Sequence, residues 1–174
     1  MKSFYDLART RRTIRNFTDE PVSDDDLNYV LKSALTAPSS FGRHPVEYVV
    51  VRDKKLINDI ADAKTMGAYG LKGADVAIVV MVNQNNLEFW IEDGAIAGSY
   101  IYLAATERDL AVNWTEIRHR SASNGTSDEA IRGLLNVPDN YEVLCVMALG
   151  HKAEEKAPYT EKDLPFGNVH YGHY

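Results

Sequence analysis

Cysteine is nearly missing from this chain. Cys145 stands alone among 174 residues, so no internal disulfide can form, and a reducing compartment is the expected setting. Positive charge is in deficit too. Nineteen Lys and Arg face 25 Asp and Glu for a net charge of −6, which excludes the broad cationic surface that sequence-independent nucleic-acid binding needs. The longest apolar run, Val76 to Val82, is far too short to cross a bilayer. Met1 to Asp6 holds no apolar stretch of signal-peptide type, so a cytoplasmic protein with no membrane partner is expected. Familiar catalytic signatures are also lacking. There is no G-x-S-x-G elbow and no Walker A loop, and Gly67-x-x-Gly70-x-x-Gly73 precedes a strand where a dinucleotide fingerprint would follow one. Cys145 lies inside an apolar strand and reads as a small hydrophobe. His151, His170 and His173 lack an accompanying Cys pair or H-E-x-x-H pattern, so no metal site is expected. No acid/base pair of carboxylates stands out.

What is present reads as one domain, residues 1–174, long enough to bury about 70% of its unfolded surface. Ser23 with Asp24, Asp25 and Asp26 opens a helix that must stop before Pro38. Residues 47–51, 76–82 and 143–149 read as buried strands, rich in β-branched residues. Leu110 to Trp114 is a shorter extended piece. Lys54 to about Lys64 has helical spacing, and Ser127 is placed to cap a short helix ending at Leu135. The longest helix is expected from Leu87 to Glu107, with Ile91, Ala95, Ile96, Ser99, Tyr102, Leu103 and Thr106 along one stripe. Gly94, Ala97, Gly98, Ala104 and Ala105 leave the rest small enough to admit another helix, from this chain or from a partner subunit. After Gly150 come 24 residues with no core pattern but with Tyr159, Phe166, Tyr171 and Tyr174, a composition for lying on another surface.

Four stretches could carry chemistry. Arg11-Arg12-Thr13-Ile14-Arg15 concentrates permanent positive charge in an acidic protein, and guanidinium forks match phosphate oxygens. The alternative is a solvated basic turn paired with Asp19, Glu20 and Asp24 to Asp26. Pro38-Ser39-Ser40-Phe41-Gly42-Arg43-His44-Pro45 is a hydroxyl-rich turn able to offer N–H and O–H groups to a ligand, or an ordinary helix-to-strand turn. Asn113-Trp114-Thr115 puts an aromatic between polar neighbours, as a ligand wall or as core. Lys152, Lys156 and Lys162 after Gly150 are a basic set or solvated surface.

In their order along the chain these pieces resemble the nitroreductase family of flavin mononucleotide (FMN) dependent oxidoreductases over nearly the whole length. The resemblance rests on R-R-T-I-R-N-F with E-P-V, A-P-S-S-x-x-x-x-P, E-D-G-A-I-A-G-S-Y-I-Y-L-A-A with D-L-A-V-N-W, V-P-x-x-Y-E-V-L-C-V-M-A-L-G, and a tail ending V-H-Y-G-H-Y. It implies an α+β fold, a mixed central sheet flanked by helices as a three-layer α/β/α arrangement, in an entwined homodimer with the 150–174 tail on the partner. It implies FMN, reduced by NADH or NADPH and reoxidised by a small-molecule acceptor such as a nitroaromatic or quinone. No residue beyond the cofactor need perform acid/base catalysis. By position, Arg11, Arg12, Thr13 and Arg15 would hold the phosphate and ribityl chain. Pro38, Ser39, Ser40, Gly42 and His44 would reach the ring from the other subunit. Asn113, Trp114 and Thr115 would lie against the flavin, and Gly150 with Lys152, Lys156 or Lys162 would complete the phosphate site. Gly42 stands where the family has Asn, His44 where it has Gln, and Val46 where it has Trp. A flavin-binding protein without reductase activity, and a specialised flavin enzyme of dehalogenating or cofactor-fragmenting type, remain the alternatives.

Overall fold

The computed structural model describes residues 3–84 and 88–174. Among the described residues six α-helices and four strands follow one another: α1 (Phe4–Thr10), α2 (Asp24–Leu35), β1 (Val46–Val51), α3 (Lys54–Asp62), α4 (Tyr69–Lys72), β2 (Val76–Asn83), α5 (Trp90–Glu107), β3 (Ala111–Glu116), α6 (Ser127–Leu135) and β4 (Tyr141–Gly150). The expected start of the long helix at Leu87 falls outside the described residues. The piece after Leu110 is a full fourth strand.

The sheet runs β1-β2-β4-β3, and every neighbouring pair is antiparallel. The α+β expectation holds, but the sheet itself is not mixed. Parallel pairing among the described residues occurs only at the isolated Thr13–Val112 bridge. Central β2 explains its own sequence. Val76, Ile78 and Val80 enter a core shared with α2 and α5, while Ala77, Val79 and Met81 enter a second core with α3, α4 and α6. A strand covered on both faces cannot alternate apolar with polar, so it reads as a continuous apolar run. The three layers follow from those two cores.

β1 was expected to be buried, yet Glu47 and Val50 are exposed. It is an edge strand, and its β-branched composition satisfies strand propensity without requiring two covered faces. Ser23 caps α2 as expected, its Oγ accepting from Asp26 N at 3.1 Å. Ser127 does not cap α6. That helix has a capping box one residue earlier, with Thr126 Oγ1 accepting from Glu129 N and Glu129 accepting from Thr126 N, while Ser127 is buried in the first turn.

The most deeply buried face of α5 lies beside the expected stripe, of which Ile91, Ala95 and Tyr102 still pack against the core. Its buried face is Gly94, Ala97, Gly98, Ile101, Ala104 and Ala105, and Ser99 and Tyr100 are exposed. Another helix of the same chain does pack here, α2 sharing a core with Ala104 and Ala105, while Gly94 and Gly98 receive sheet side chains. A Cβ on Gly94 would lie 2.6 Å from Leu144 Cδ2, and one on Gly98 would lie 2.3 Å from Trp114 Cζ3. Close packing against bulky sheet residues demands glycine there, which hydrophobicity alone does not reveal.

Candidate active site

β3 is an edge strand, and its outer edge is taken by the segment that follows α1. Ile14 N donates to Val112 O at 3.2 Å, which lays Arg11 to Arg15 along the strand. A single phenol ties this segment to α5. Tyr102 OH accepts from Trp114 N at 3.0 Å and stands 3.2 Å from Thr13 Oγ1, and the Arg11 guanidinium lies over the Tyr102 ring, 5.2 Å from its centroid. Arg15 runs past Gly70, where a Cβ would sit 3.1 Å from Arg15 Cβ and 3.0 Å from Asn113 Nδ2. Asn113 and Thr115 are buried and joined, Nδ2 donating to Thr115 Oγ1 at 3.1 Å. Trp114 faces the other side of the strand and donates from Nε1 to Glu116 at 2.8 Å.

The start of the tail closes over the same segment of its own chain. Thr18 N donates to His151 O, Ala153 N to Asn16 O, Arg15 N to Glu154 Oε1 and Tyr159 N to Arg9 O, each at 2.9 Å. Lys156 Nζ donates to Thr13 O at 2.6 Å, and Arg12 donates to Ala157 O while stacking on Tyr159. Accepting the Arg15 amide holds the Glu154 carboxyl below the usual Glu range, with Lys156 acting in the same direction. Gly150 is required by Phe17, whose ring carbon would lie 2.9 Å from any Cβ. Lys152 pairs with Asp109 at 2.8 Å and Glu155 at 3.3 Å, and carboxylate contacts raise its pKa. A cavity of about 210 Å³ opens here, lined by Arg12, Ile14, Asp109, Lys152 and Lys156. Lys162 lies further along the tail, exposed.

Three of the five acids that a solvated basic turn would use lie against other residues. Asp24 pairs with Arg52 at 2.9 Å, Asp26 with Arg108, and Glu20 lies 4.0 Å from His151. Among the described residues, no carboxylate comes within 4.0 Å of the Arg11, Arg12 or Arg15 guanidinium. In a protein of net charge −6 these three cations carry no carboxylate ion pair, with Arg11 and Arg12 set on tyrosine rings. Such a donor set fits an anion, and phosphate above all.

The serine turn is built separately. Ser39 Oγ accepts from His44 N at 2.8 Å, and Ser40 donates both N–H and O–H to Asp93 at the start of α5. Phe41, Gly42 and His44 all have positive φ, and a Cβ at Gly42 would meet nothing within 4 Å. Glycine at 42 therefore answers a backbone conformation, since space is open there. Asp93 and Tyr102 are nine residues apart on α5, roughly 13 Å along its axis. Within one chain, Arg11, Arg12, Thr13, Arg15, Asn113, Trp114, Thr115, Gly150, Lys152 and Lys156 come together, while Pro38, Ser39, Ser40, Gly42, His44 and Lys162 do not join them. Sequence reasoning missed Tyr102, Asp93 and Glu154. Tyr102 looked like one member of an apolar stripe, and Asp93 looked like an ordinary first-turn acid.

No group of three or more His, Cys, Asp or Glu among the described residues is arranged to hold a metal ion. No described helix is long and apolar enough to cross a membrane.

The model of the nitroreductase family matches residues 8–91 and 63–151. A protein of Archaeoglobus fulgidus, provisionally named NADH dehydrogenase/NAD(P)H nitroreductase, is 32% identical over 94% of this chain and 93% of its own. An iodotyrosine deiodinase of Thermotoga neapolitana is 43% identical over 94% of this chain and 96% of its own. Among solved structures, an FMN-dependent nitroreductase from Clostridium difficile superposes with a TM-score of 0.94 at 38% identity, covering 97% of this chain and 98% of that one. The chain belongs to the nitroreductase family.

Proposed function

We propose that this nitroreductase-family oxidoreductase holds FMN against β3 and uses NADH or NADPH to reduce a small electrophile such as a nitroaromatic or quinone. The observation that carries the reading is the set of three guanidiniums without carboxylate partners along the edge of β3. Arg11, Arg12 and Arg15 neutralise the phosphate, and Thr13 offers a hydroxyl to the ribityl chain. Asn113, Trp114 and Thr115 present the strand against the ring. Lys156 holds the Thr13 carbonyl and so positions the segment, and Lys152 and Gly150 shape the cavity beside it. When bound, FMN supplies the two-electron redox chemistry. The protein's part is charge neutralisation, orientation and an open face for donor and acceptor in turn, which needs no dedicated acid or base.

The same reading makes the protein a cytoplasmic homodimer. The separation of roughly 13 Å between the arginine node and the serine turn supports a site completed by Pro38, Ser39, Ser40, Gly42 and His44 of a second copy. Exposed Phe166, Tyr171 and Tyr174 in the 150–174 tail, with Lys162 among them, support a tail that packs on that copy. An apolar recess of about 450 Å³ lined by Phe4, Leu7, Tyr100 and Leu103 adds a surface for association.

The test is anaerobic spectroscopy of the purified protein. A yellow protein whose visible flavin band bleaches with NADH or NADPH and recovers on adding a quinone meets the expectation. A yellow protein inert to both nucleotides would instead be a flavin-binding protein without reductase activity. The 43% identity to the Thermotoga deiodinase favours a second reading, reductive dehalogenation. Iodide release from iodotyrosine by the chemically reduced protein decides between them.

A further inference from the structure

β3 pairs with β4 on one side only, so its outward N–H and C=O groups need other partners. Ile14 N meets Val112 O, but the bridge at Thr13 is isolated. The next outward donor along the strand, Trp114 N, is met by the Tyr102 hydroxyl at 3.0 Å. The same hydroxyl stands 3.2 Å from Thr13 Oγ1, and the Tyr102 ring carries the Arg11 guanidinium, 5.2 Å from its centroid. Arg12, between these two contacts, goes the other way, to Ala157 O and the Tyr159 ring. Alternation along an extended segment gives that result, and it leaves Arg11 and Thr13 together on Tyr102.

The direction of the contact between the two hydroxyls follows from counting hydrogens. A backbone N–H only donates, so the Tyr102 oxygen accepts from Trp114 and the single phenol hydrogen is still to be placed. Among the described residues, Thr13 Oγ1 is the one acceptor within its reach. In the reverse sense the phenol would accept twice, and its hydrogen would have no protein acceptor in a half-buried place, which is costly. Tyr102 therefore donates and Thr13 accepts. The Thr13 hydrogen is then left over, on the side of the segment that Arg11 shares, and among the described residues nothing takes it.

We propose that Tyr102 is a positioning residue: the chain from Trp114 N–H through the Tyr102 and Thr13 hydroxyls runs in one sense and presents Thr13 to the ligand as a donor beside the Arg11 charge. Hydrogen bonds aligned head to tail polarise one another, so the phenol behind it makes Thr13 a stronger donor than a threonine standing alone. The acceptor is a ligand oxygen. That this oxygen belongs to the ribityl chain or the phosphate of FMN rests on the proposed function; the sense of the chain does not.

Tyr102→Phe keeps a ring under Arg11 and removes only the oxygen, and Thr13→Val removes the hydroxyl at the far end. Dissociation constants for FMN and riboflavin are measured on flavin-stripped wild type, both single variants and the double variant. Tyr102→Phe should weaken FMN about fivefold and Thr13→Val about tenfold, while Tyr102→Phe added to Thr13→Val should change it by less than about twofold. Thr13→Ser should restore both the affinity and its sensitivity to Tyr102→Phe. An equal loss for riboflavin supports the relay with its acceptor on the ribityl chain, and a loss for FMN alone supports it with the acceptor on the phosphate. Wild-type affinity for both flavins in Tyr102→Phe overturns the proposal. An effect of Tyr102→Phe that is the same with and without the Thr13 hydroxyl overturns it too, because that is the mark of a structural role. Hydrogen exchange at the Trp114 amide of the flavin-free protein should accelerate in Tyr102→Phe, and an unchanged rate contradicts the first link. If the wild type binds neither flavin, the cofactor reading falls and the same cycle is read with inorganic phosphate, where coupling between the two positions keeps the relay and additivity overturns it.

Discussion

Asp93 Oδ1 accepts both the backbone N–H of Ser40, at 2.7 Å, and the Ser40 hydroxyl, at 2.9 Å. Asp93 is 2% exposed, and its other oxygen is buried without a partner among the described residues. A buried carboxylate is costly. Its seat in the first turn of α5 offsets part of that cost, because the positive end of the helix dipole faces it. The result is a serine turn fixed to a core helix. Asp93→Ala leaves two Ser40 donors unpaired and should cost about 2–3 kcal/mol, read by urea unfolding. A variant as stable as the parent would show that the turn is held by other means.

Two glycines separate packing from propensity. Gly98→Ala puts a Cβ 2.3 Å from Trp114 Cζ3 and should destabilise by roughly 1–3 kcal/mol. Gly133→Ala, in exposed α6 with nothing within 4 Å, should stabilise by roughly 0.5–1 kcal/mol. Thermal unfolding of both variants checks the opposite signs. If both move the same way, the contact between α5 and Trp114 is misassigned.

Stability should fall at both pH extremes, for different reasons. Burial raises Tyr48 to about 12 from an ordinary 10.0. A raised pKa means the neutral phenol is favoured in the fold, so its contribution is complete below pH 10 and disappears as pH climbs toward 12. Hydrogen bonds and neighbouring cations lower Asp26, Glu129 and Glu154. Their contributions are complete above the ordinary carboxyl range and are lost as pH falls through the depressed values. Denaturation midpoints measured across pH should therefore show a plateau bounded on both sides. Titration of all ten phenols with an ordinary midpoint near 10.0 and no late-titrating group would contradict the burial of Tyr48.

Cys145 is fully buried, and desolvation raises its thiol far above the ordinary value. The native protein should resist a thiol-specific disulfide reagent at pH 8, and denaturant should release one equivalent of reactivity. Rapid native reaction would mean that β4 opens.

Much of this fold is legible in the sequence because burial writes itself into residue choice. β2 from Val76 to Val82 and β4 from Val143 to Leu149 are apolar throughout, and α2 announces itself through Ser23. The missed features share a cause: they depend on which surfaces meet. α5 buries its glycines because Leu144 and Trp114 need room, and a stripe of larger residues misleads about the inward face. Thr126 and Ser127 are both capable caps, and only the position of Glu129 relative to the chain entry decides between them. β1 carries a core-like sequence at an edge. At the site, the arginines were visible by type and spacing. Tyr102, which joins them to β3, was hidden because its phenol oxygen links α5 to two other places, β3 and the segment after α1.

The central claim is that Arg11 and Arg15 hold a phosphate, and comparing FMN with riboflavin tests it most directly, since the two differ only in that group. Dissociation constants for both are measured by fluorescence on protein stripped of flavin, for the wild type, Arg11→Ala and Arg15→Ala. The wild type should prefer FMN, and each substitution should cut this preference by about tenfold or more while riboflavin binding changes little. An FMN preference that survives in both variants would contradict it.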